Sequence, residues 1–385
     1  MKAAHRAYKC RILSLTAAAF LVSLTVSGIA TGQEVPQGIT IPKQFSAFDP
    51  AAPGCTPPPD RQRVLVFAQD NRRQFMEGVS YGLSMAARKR SMRYDVAIAD
   101  NDPAKMIGQV QEASTAKAGA IVVAPVDPAS LSPVLQQAMN DGSYVGTIVA
   151  PPATSLLNAP QYLTGRVLGD SAAAYIRDQL GGKANVVLLT HDSIQFLTPR
   201  FVAMRDALTS LPGVNIVADI SPATVDKQGG FDTMNTILLA NPNIDVVLGA
   251  DTVVLGALEA LRMAGKDRPD QFLGGIDGEP EAIAEIKSGS GPYKTSVSLN
   301  SPVFAYAMGQ HAADWLEGKS IPQAMDILPS VITSENISRY EADLKDPASA
   351  FEDAERRSFY LKMYGNICYE DRHEYVNFPW SSEAK

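Results

Sequence analysis

Acidic, amide and basic side chains recur in this chain directly after short apolar runs. Asp70, Asn71, Arg72, Arg73 and Phe75 follow the run at 64–68, and Asp127 follows 120–124. His191 and Asp192 follow 185–189, Asp226 follows 215–220, and Asp251 follows 246–249. Each type has a chemistry. A carboxylate offers two oxygens that accept both hydroxyls of a vicinal diol, arginine presents a planar fork of donors to an anion, and an aromatic ring offers a flat apolar face. Each also has a plainer reading. A turn aspartate often caps a helix, as Asp251 or Asp127 would, surface arginines at 72 and 73 are often simply solvated, and Phe75, Phe196 and Phe231 suit a core. Catalysis is the weaker reading: no Gly-rich phosphate turn follows 64–68, no Gly-x-Ser-x-Gly elbow occurs, and no nucleophile is marked beside His191 and Asp192.

The elements that must position these groups alternate. Apolar runs at 64–68, 95–99, 120–124 and 145–149 read as strands, and they are separated by helical periodicity over 75–89, 104–116 and 131–140. After a Pro-rich stretch at 150–160 the pattern restarts. It gives helices at 169–180, 200–210, 231–240 and 255–264 between strands at 185–189, 215–220, 246–249 and 272–276. Strands apolar on both faces and alternating with helices specify parallel sheets covered on both sides. The expected class is therefore α/β with two doubly wound lobes. In such sheets a ligand sits beyond the carboxyl ends of the strands, where the residues above fall. A strand at 293–299, a helix at 302–316, a strand at 328–333 and a helical stretch around 347–363 complete the reading.

Hydrophobic residues make up 45% and charged residues 19%, and the net charge is -7. This is ordinary globular composition with no basic surface for nucleic acid or anionic lipid. A basic start (Lys2, Arg6, Lys9, Arg11), an apolar stretch at 12–30 and small residues at Gly28, Ala30 and Gly32 read as a cleaved export signal over 1–32. The alternative, an uncleaved membrane helix, is weakened by the serines and threonines that dilute the run. Because no Cys follows that run, the expected product is soluble in the periplasm and not lipid-anchored. Cys55 and Cys368 then remain, and in an oxidising compartment they read as a disulfide, with two free thiols as the alternative. Neither has His or Cys at metal-ligand spacing, so no metal and no cofactor are expected.

Three segments carry a resemblance. Residues 245–261, the stretch Gly274-Gly275-Ile276-Asp277-Gly278, and residues 120–127 resemble type I periplasmic solute-binding proteins, the sugar-binding components of ABC transporters, and Ile332 to Asn336 is similar to the closing strand of that family. The resemblance spans about residues 62–340 and implies three chain crossings between lobes, near Tyr162, Ser298 and Leu328. Lobe one would hold 62–161 and 299–327, and lobe two 162–298 and 328–340, with an irregular arm at 33–61 and an extension at 341–385. It implies a monomer that takes a sugar, polyol or sugar acid between its lobes and presents it to a membrane permease. Use as a sensor for a membrane receptor is the alternative. It places Asp251, Asp232, Arg200 and Phe75 at ligand positions, with Asn71, Arg72, Arg73, Asp127, His191 and Ser298 as further candidates. One departure is clear. Val149-Ala150 stand where the family has Asp-Arg, so a polar clamp is replaced, and Arg72 and Arg73 are the residues available to supply donors.

Overall fold

The computed structural model describes residues 45–191, 197–378, 380, 382 and 383. The expected signal, the start of the arm, Asp192 and Phe196 lie outside them. Among the described residues, thirteen strands form two sheets. The first has the order β13-β11-β5-β4-β3-β1-β2 and the second β12-β10-β9-β8-β6-β7.

Sheet one begins with β1 (Gln62–Gln69), β2 (Arg93–Ile98), β3 (Ala118–Val123), β4 (Tyr144–Ile148) and β5 (Ser155–Asn158), all parallel. Helices α1 (Gln74–Lys89), α2 (Pro103–Thr115) and α3 (Pro128–Asn140) connect the first four. The alternation along β3 shows why its run is wholly apolar: Ala120 and Val122 face one core with Leu65 and Phe67, while Ile121 and Val123 face the other with Val64 and Ala68. Aspartates start two of these helices. Asp102 accepts the amides of Ala104 and Lys105, and Asp127 accepts that of Ala129, each followed by a proline in the first turn.

Sheet two comprises β6 (Lys183–Leu189), β7 (Gly213–Ile220), β8 (Val246–Leu248), β9 (Phe272–Ile276) and β10 (Tyr293–Ser298), again parallel. Helices α4 (Gln161–Gln179) and α5 (Thr198–Thr209) cover one face, and α6 (Lys227–Ala240), α7 (Asp251–Met263) and α8 (Pro280–Ser288) the other. Helix α9 (Ser301–Leu316) returns to sheet one and packs along α1. A Cβ added at Gly82 would meet the Pro302 carbonyl at 2.2 Å, so the close approach of these two helices requires glycine there.

The closing region differs from its sequence reading. The strand expected at 328–333 is β12 (Ser330–Ile332), which pairs antiparallel with β10 in sheet two, and a further strand that was not expected, β11 (Ala324–Ile327), precedes it and joins sheet one beside β5. The helical stretch at 347–363 breaks into α11 (Pro347–Glu352), α12 (Ala354–Ser358) and β13 (Leu361–Tyr364), the last antiparallel to β11. Asp353 ends one helix and caps the next, which divides the stretch. Strand β5 lies in the Pro-rich stretch where no element was expected, because Ser155–Asn158 are buried between β4 and β11 despite short local signal.

The chain therefore passes between the sheets after β5, after β10 and after β11. It passes once more after α10 (Ile337–Lys345), which packs on the sheet-two core through Ile337, Tyr340 and Leu344 before α11 packs on α9. Cys55 and Cys368 are bonded, with Cα atoms 5.5 Å apart, and join the arm to the tail across 313 positions. Among the described residues no helix is long and apolar enough to cross a membrane.

Candidate functional site

Charged groups stand at the carboxyl ends of both sheets. Asp277 follows β9 in sheet two, and its carboxyl feels Arg200 of α5 and Arg73, which follows β1 in sheet one. Asp277 is open to solvent, with many protein atoms around its carboxyl. Burial pushes its pKa up, and the two arginines oppose that shift. Its φ of 123° lies in the left-handed region that side chains rarely adopt, so the turn holds the residue in a costly conformation.

Arg200 is 7% exposed and gives its Nε–H to Gln161 Oε1 at 3.0 Å. Burial lowers the pKa of its guanidinium, and Asp277 counters. Arg73 is exposed and pairs with Asp70 at 2.6 Å, with its guanidinium 5.8 Å from the Phe75 ring centre. Phe75 is half-buried and also contacts Phe304, so one part of its ring serves the core. Asn71 gives its amide to Asn101 Oδ1 at 2.8 Å, which fixes the turn after β1. His191, half-buried, lies two residues beyond the end of β6.

Other candidates point elsewhere. Asp251 is fully buried, and its carboxylate is taken by three donors of its own lobe: Tyr293 Oη at 2.7 Å, Ser296 Oγ at 2.6 Å and the Glu279 amide at 2.8 Å. The expected ligand contact gives way to a scaffold that holds the turn carrying Asp277. Nor does Asp251 cap its helix, since Ala250 occupies that position. Gly275 makes room for it; a Cβ there would lie 1.9 Å from Asp251 Oδ1. Ser298 is 2% exposed and is engaged with Tyr340 Oη at 3.0 Å and the Asn300 amide at 3.0 Å, which stiffens the second passage between lobes. Asp127 is the α3 cap. Arg72 lines a groove of about 440 Å³ with Tyr81, Val96 and Ile98, between α1 and the edge strand β2. Asp232 is exposed on α6, where its carboxylate accepts Gln228 Nε2 at 2.9 Å.

Three residues of this region were not on the sequence-based list. Asp277 stands in the stretch 274–278 that carries the family resemblance. Glu279, half-buried beside Asp251, Asp277 and Glu281, has its pKa raised to about 7, first by burial and then by those charges. Asn300 starts the passage into α9 at φ 50° and ties it to the next passage through Ser330 Oγ at 2.9 Å, while its buried Oδ1 has no partner among the described residues. A strand-end rule applied to β9 finds Asp277 and Glu279; Asn300 has no such signal. Val149 is the departure noted above, and here it too adopts a positive φ of 71°, placing an apolar, 37% exposed side chain where β4 ends.

Residues 64–320 match the family model described as the periplasmic binding protein domain. The chain belongs to the periplasmic binding protein family. It is a solute-binding protein and, like its family, not an enzyme. Among curated relatives, it is 28% identical over 262 residues to the ribose import binding protein of Bacillus subtilis, covering 65% of this chain and 80% of that one. It is 27% identical over 287 residues to a xylitol-binding protein of Mycolicibacterium smegmatis, covering 72% and 79%. In structure it is similar to a periplasmic ribose ABC transporter protein from Conexibacter woesei, with a TM-score of 0.64 at 20% identity over 76% of this chain and 97% of that one, which is a likeness of fold. The two α/β lobes are thus those of the family.

Proposed function

We propose that this binding protein captures a sugar, polyol or sugar acid between its lobes and delivers it to the permease of an ABC transporter. What carries the reading is the pair of carboxyl sheet ends with charged groups from both lobes, Asp277 and Arg200 from lobe two and Arg73 from lobe one, the two arginines both acting on the Asp277 carboxyl. Lobe one is then residues 62–161 with 299–327, and lobe two 162–298 with 328–340. The names of the ribose and xylitol relatives support the polyhydroxylated class. So does charge. Among the described residues Arg73 and Arg200 are balanced by Asp70 and Asp277, which favours a neutral sugar or polyol over an acid. Hydroxyls suit this arrangement because each can donate to Asp277 and accept from an arginine.

Ligand contacts to both lobes stabilise the closed form by the difference between its affinity and that of the open form, and the permease reads closure. The chain acts as an exported monomer, freed from a signal over 1–32 without lipid, with Cys55–Cys368 tying its ends. Thermal-shift measurements on the mature protein against sugars, polyols, sugar acids and small anions test this reading, because a ligand that binds only the folded state raises the melting temperature. A neutral polyhydroxylated compound is expected to give the largest shift. Asp277→Ala should then weaken that compound about tenfold or more, through lost charge-assisted hydrogen bonds. Calorimetric affinity unchanged in Asp277→Ala, or shifts from small anions alone, overturns the assignment.

A further inference from the structure

The C-terminal extension that follows residue 340 is tied to both lobes at two separate places. The first lies where the chain leaves α10. Asp343 of α10, fully buried, accepts hydrogen bonds from Arg356 Nη2 and Tyr360 Oη, and Arg339 of α10 stacks over Phe359 at 4.5 Å. Helix α10 belongs to the sheet-two core, whereas Tyr360 and Leu361 belong to the sheet-one core. The tail is anchored on lobe one by Tyr306 Oη, which donates to Glu352 at 3.0 Å, and Lys89 pairs with the same carboxylate. The third passage is held as well, with the Leu328 amide on the Tyr360 carbonyl at 2.8 Å.

The second tie lies at the other side of the hinge. Val376 bridges Ala153, and Trp380 packs on Tyr364 and Phe45, all on lobe one. A few residues on, the Glu383 carboxylate accepts the amides of Leu163 at 2.6 Å and Tyr162 at 3.3 Å, in the first turn of α4. Helix α4 packs on α5, β9 and β10 of lobe two, and its own N-cap, Pro160, supplies no side-chain acceptor.

We propose that the C-terminal extension is a strap across the hinge, which narrows the range of lobe angles that the ligand-free protein samples. Each contact is short, so any rotation that separates α10 from α12, or α4 from the tail, must first break charge-assisted hydrogen bonds. The inference rests on the two-lobe closure of the proposed function, but its test needs no ligand. Spin labels introduced genetically at Gln111 on α2 and Leu239 on α6, both exposed, report the lobe separation by pulsed dipolar spectroscopy on the full mature chain. Glu383→Ala and Arg356→Ala should each widen the distance distribution, and the double variant should widen it further. Glu370→Ala, which removes a contact from tail to arm at the Thr56 amide, should leave the width unchanged. Widths equal to wild type in both single variants, or equal widening in Glu370→Ala, overturn the strap. Failure to find a ligand would leave this result standing, so the two readings fail separately.

Discussion

Replacing Asp251 by alanine separates a scaffold from a ligand contact. The substitution leaves Tyr293 Oη, Ser296 Oγ and the Glu279 amide without their buried acceptor. Each unsatisfied donor costs about 1–3 kcal/mol. Against this stands the burial of the carboxylate itself, which raises its pKa from 3.8 to about 6, chiefly by desolvation. Because the folded pKa lies above the unfolded one, the ionised group destabilises the fold at neutral pH. That penalty is relieved as pH falls through about 6 toward 3.8. The shift corresponds to about 3 kcal/mol when the group is fully ionised, at about 1.4 kcal/mol per unit. The three donors together cost about 3–9 kcal/mol and the alanine variant escapes the penalty of about 3, so its net loss at pH 7.5 is on the order of 0–6 kcal/mol, and at pH 5 it is larger by about 1.4 kcal/mol. Urea unfolding followed by far-UV circular dichroism at the two pH values measures the difference, and hydrogen exchange of peptides from 246 to 298 locates it. A variant as stable as wild type at both pH values, with weakened ligand affinity, would refute the scaffold and restore the direct contact.

His311, fully enclosed on α9 between Phe48 and Phe351, has its pKa lowered to about 4 by burial. The neutral form is the folded one, so its contribution is lost as pH falls from about 6.5 toward 4, up to about 3 kcal/mol; His311→Gln should flatten the stability curve over that window, and equal slopes in urea titrations would exclude the effect. Breaking the Cys55–Cys368 bond in a double Ser variant removes a cross-link over 313 positions and should cost about 2–5 kcal/mol, read as a lower melting temperature for the variant and for the reduced wild type alike. An unchanged melting temperature in both would mean that β13 and the Val376 bridge alone hold the ends together.

The doubly wound architecture was legible because most of the buried strands are short continuous apolar runs and three of the helices, α2, α3 and α6, open on a marked cap. Residues such as Asp102-Pro103, Asp127-Pro128 and Asp226 show the start in the sequence and then cap it in the structure. Strands β5, β11 and β13 were not legible for a common reason. Each has four residues, too few for periodicity to speak, and each exists by pairing with a partner distant in the chain: β11 lies between β5 and β13. Local propensity carries no record of such pairing. The role of the extension was hidden in the same way, since Asp343 and Glu383 gain their meaning only from partners outside their own element.

The site was half legible, and the divide follows from how many residues separate a strand from its helix. Asp127 and Asp226 stand immediately before a helix, so their side chains turn back onto its first amides. Asp251 stands one position further in. Helix α7 starts at that residue, three positions after β8 ends, and the helix carries its carboxylate under the neighbouring strands. Asp277 directly follows β9, while α8 begins only at Pro280, so Asp277 lies clear of the helix and its carboxylate can reach the cleft. Pro280 was visible from the start, because proline favours the first helical position. Counting from strand end to that marker would have ranked Asp277 above Asp251, although both aspartates follow a strand of the same sheet. What the count cannot supply is Arg73 from the other lobe, whose approach depends on two sheets meeting at their carboxyl ends.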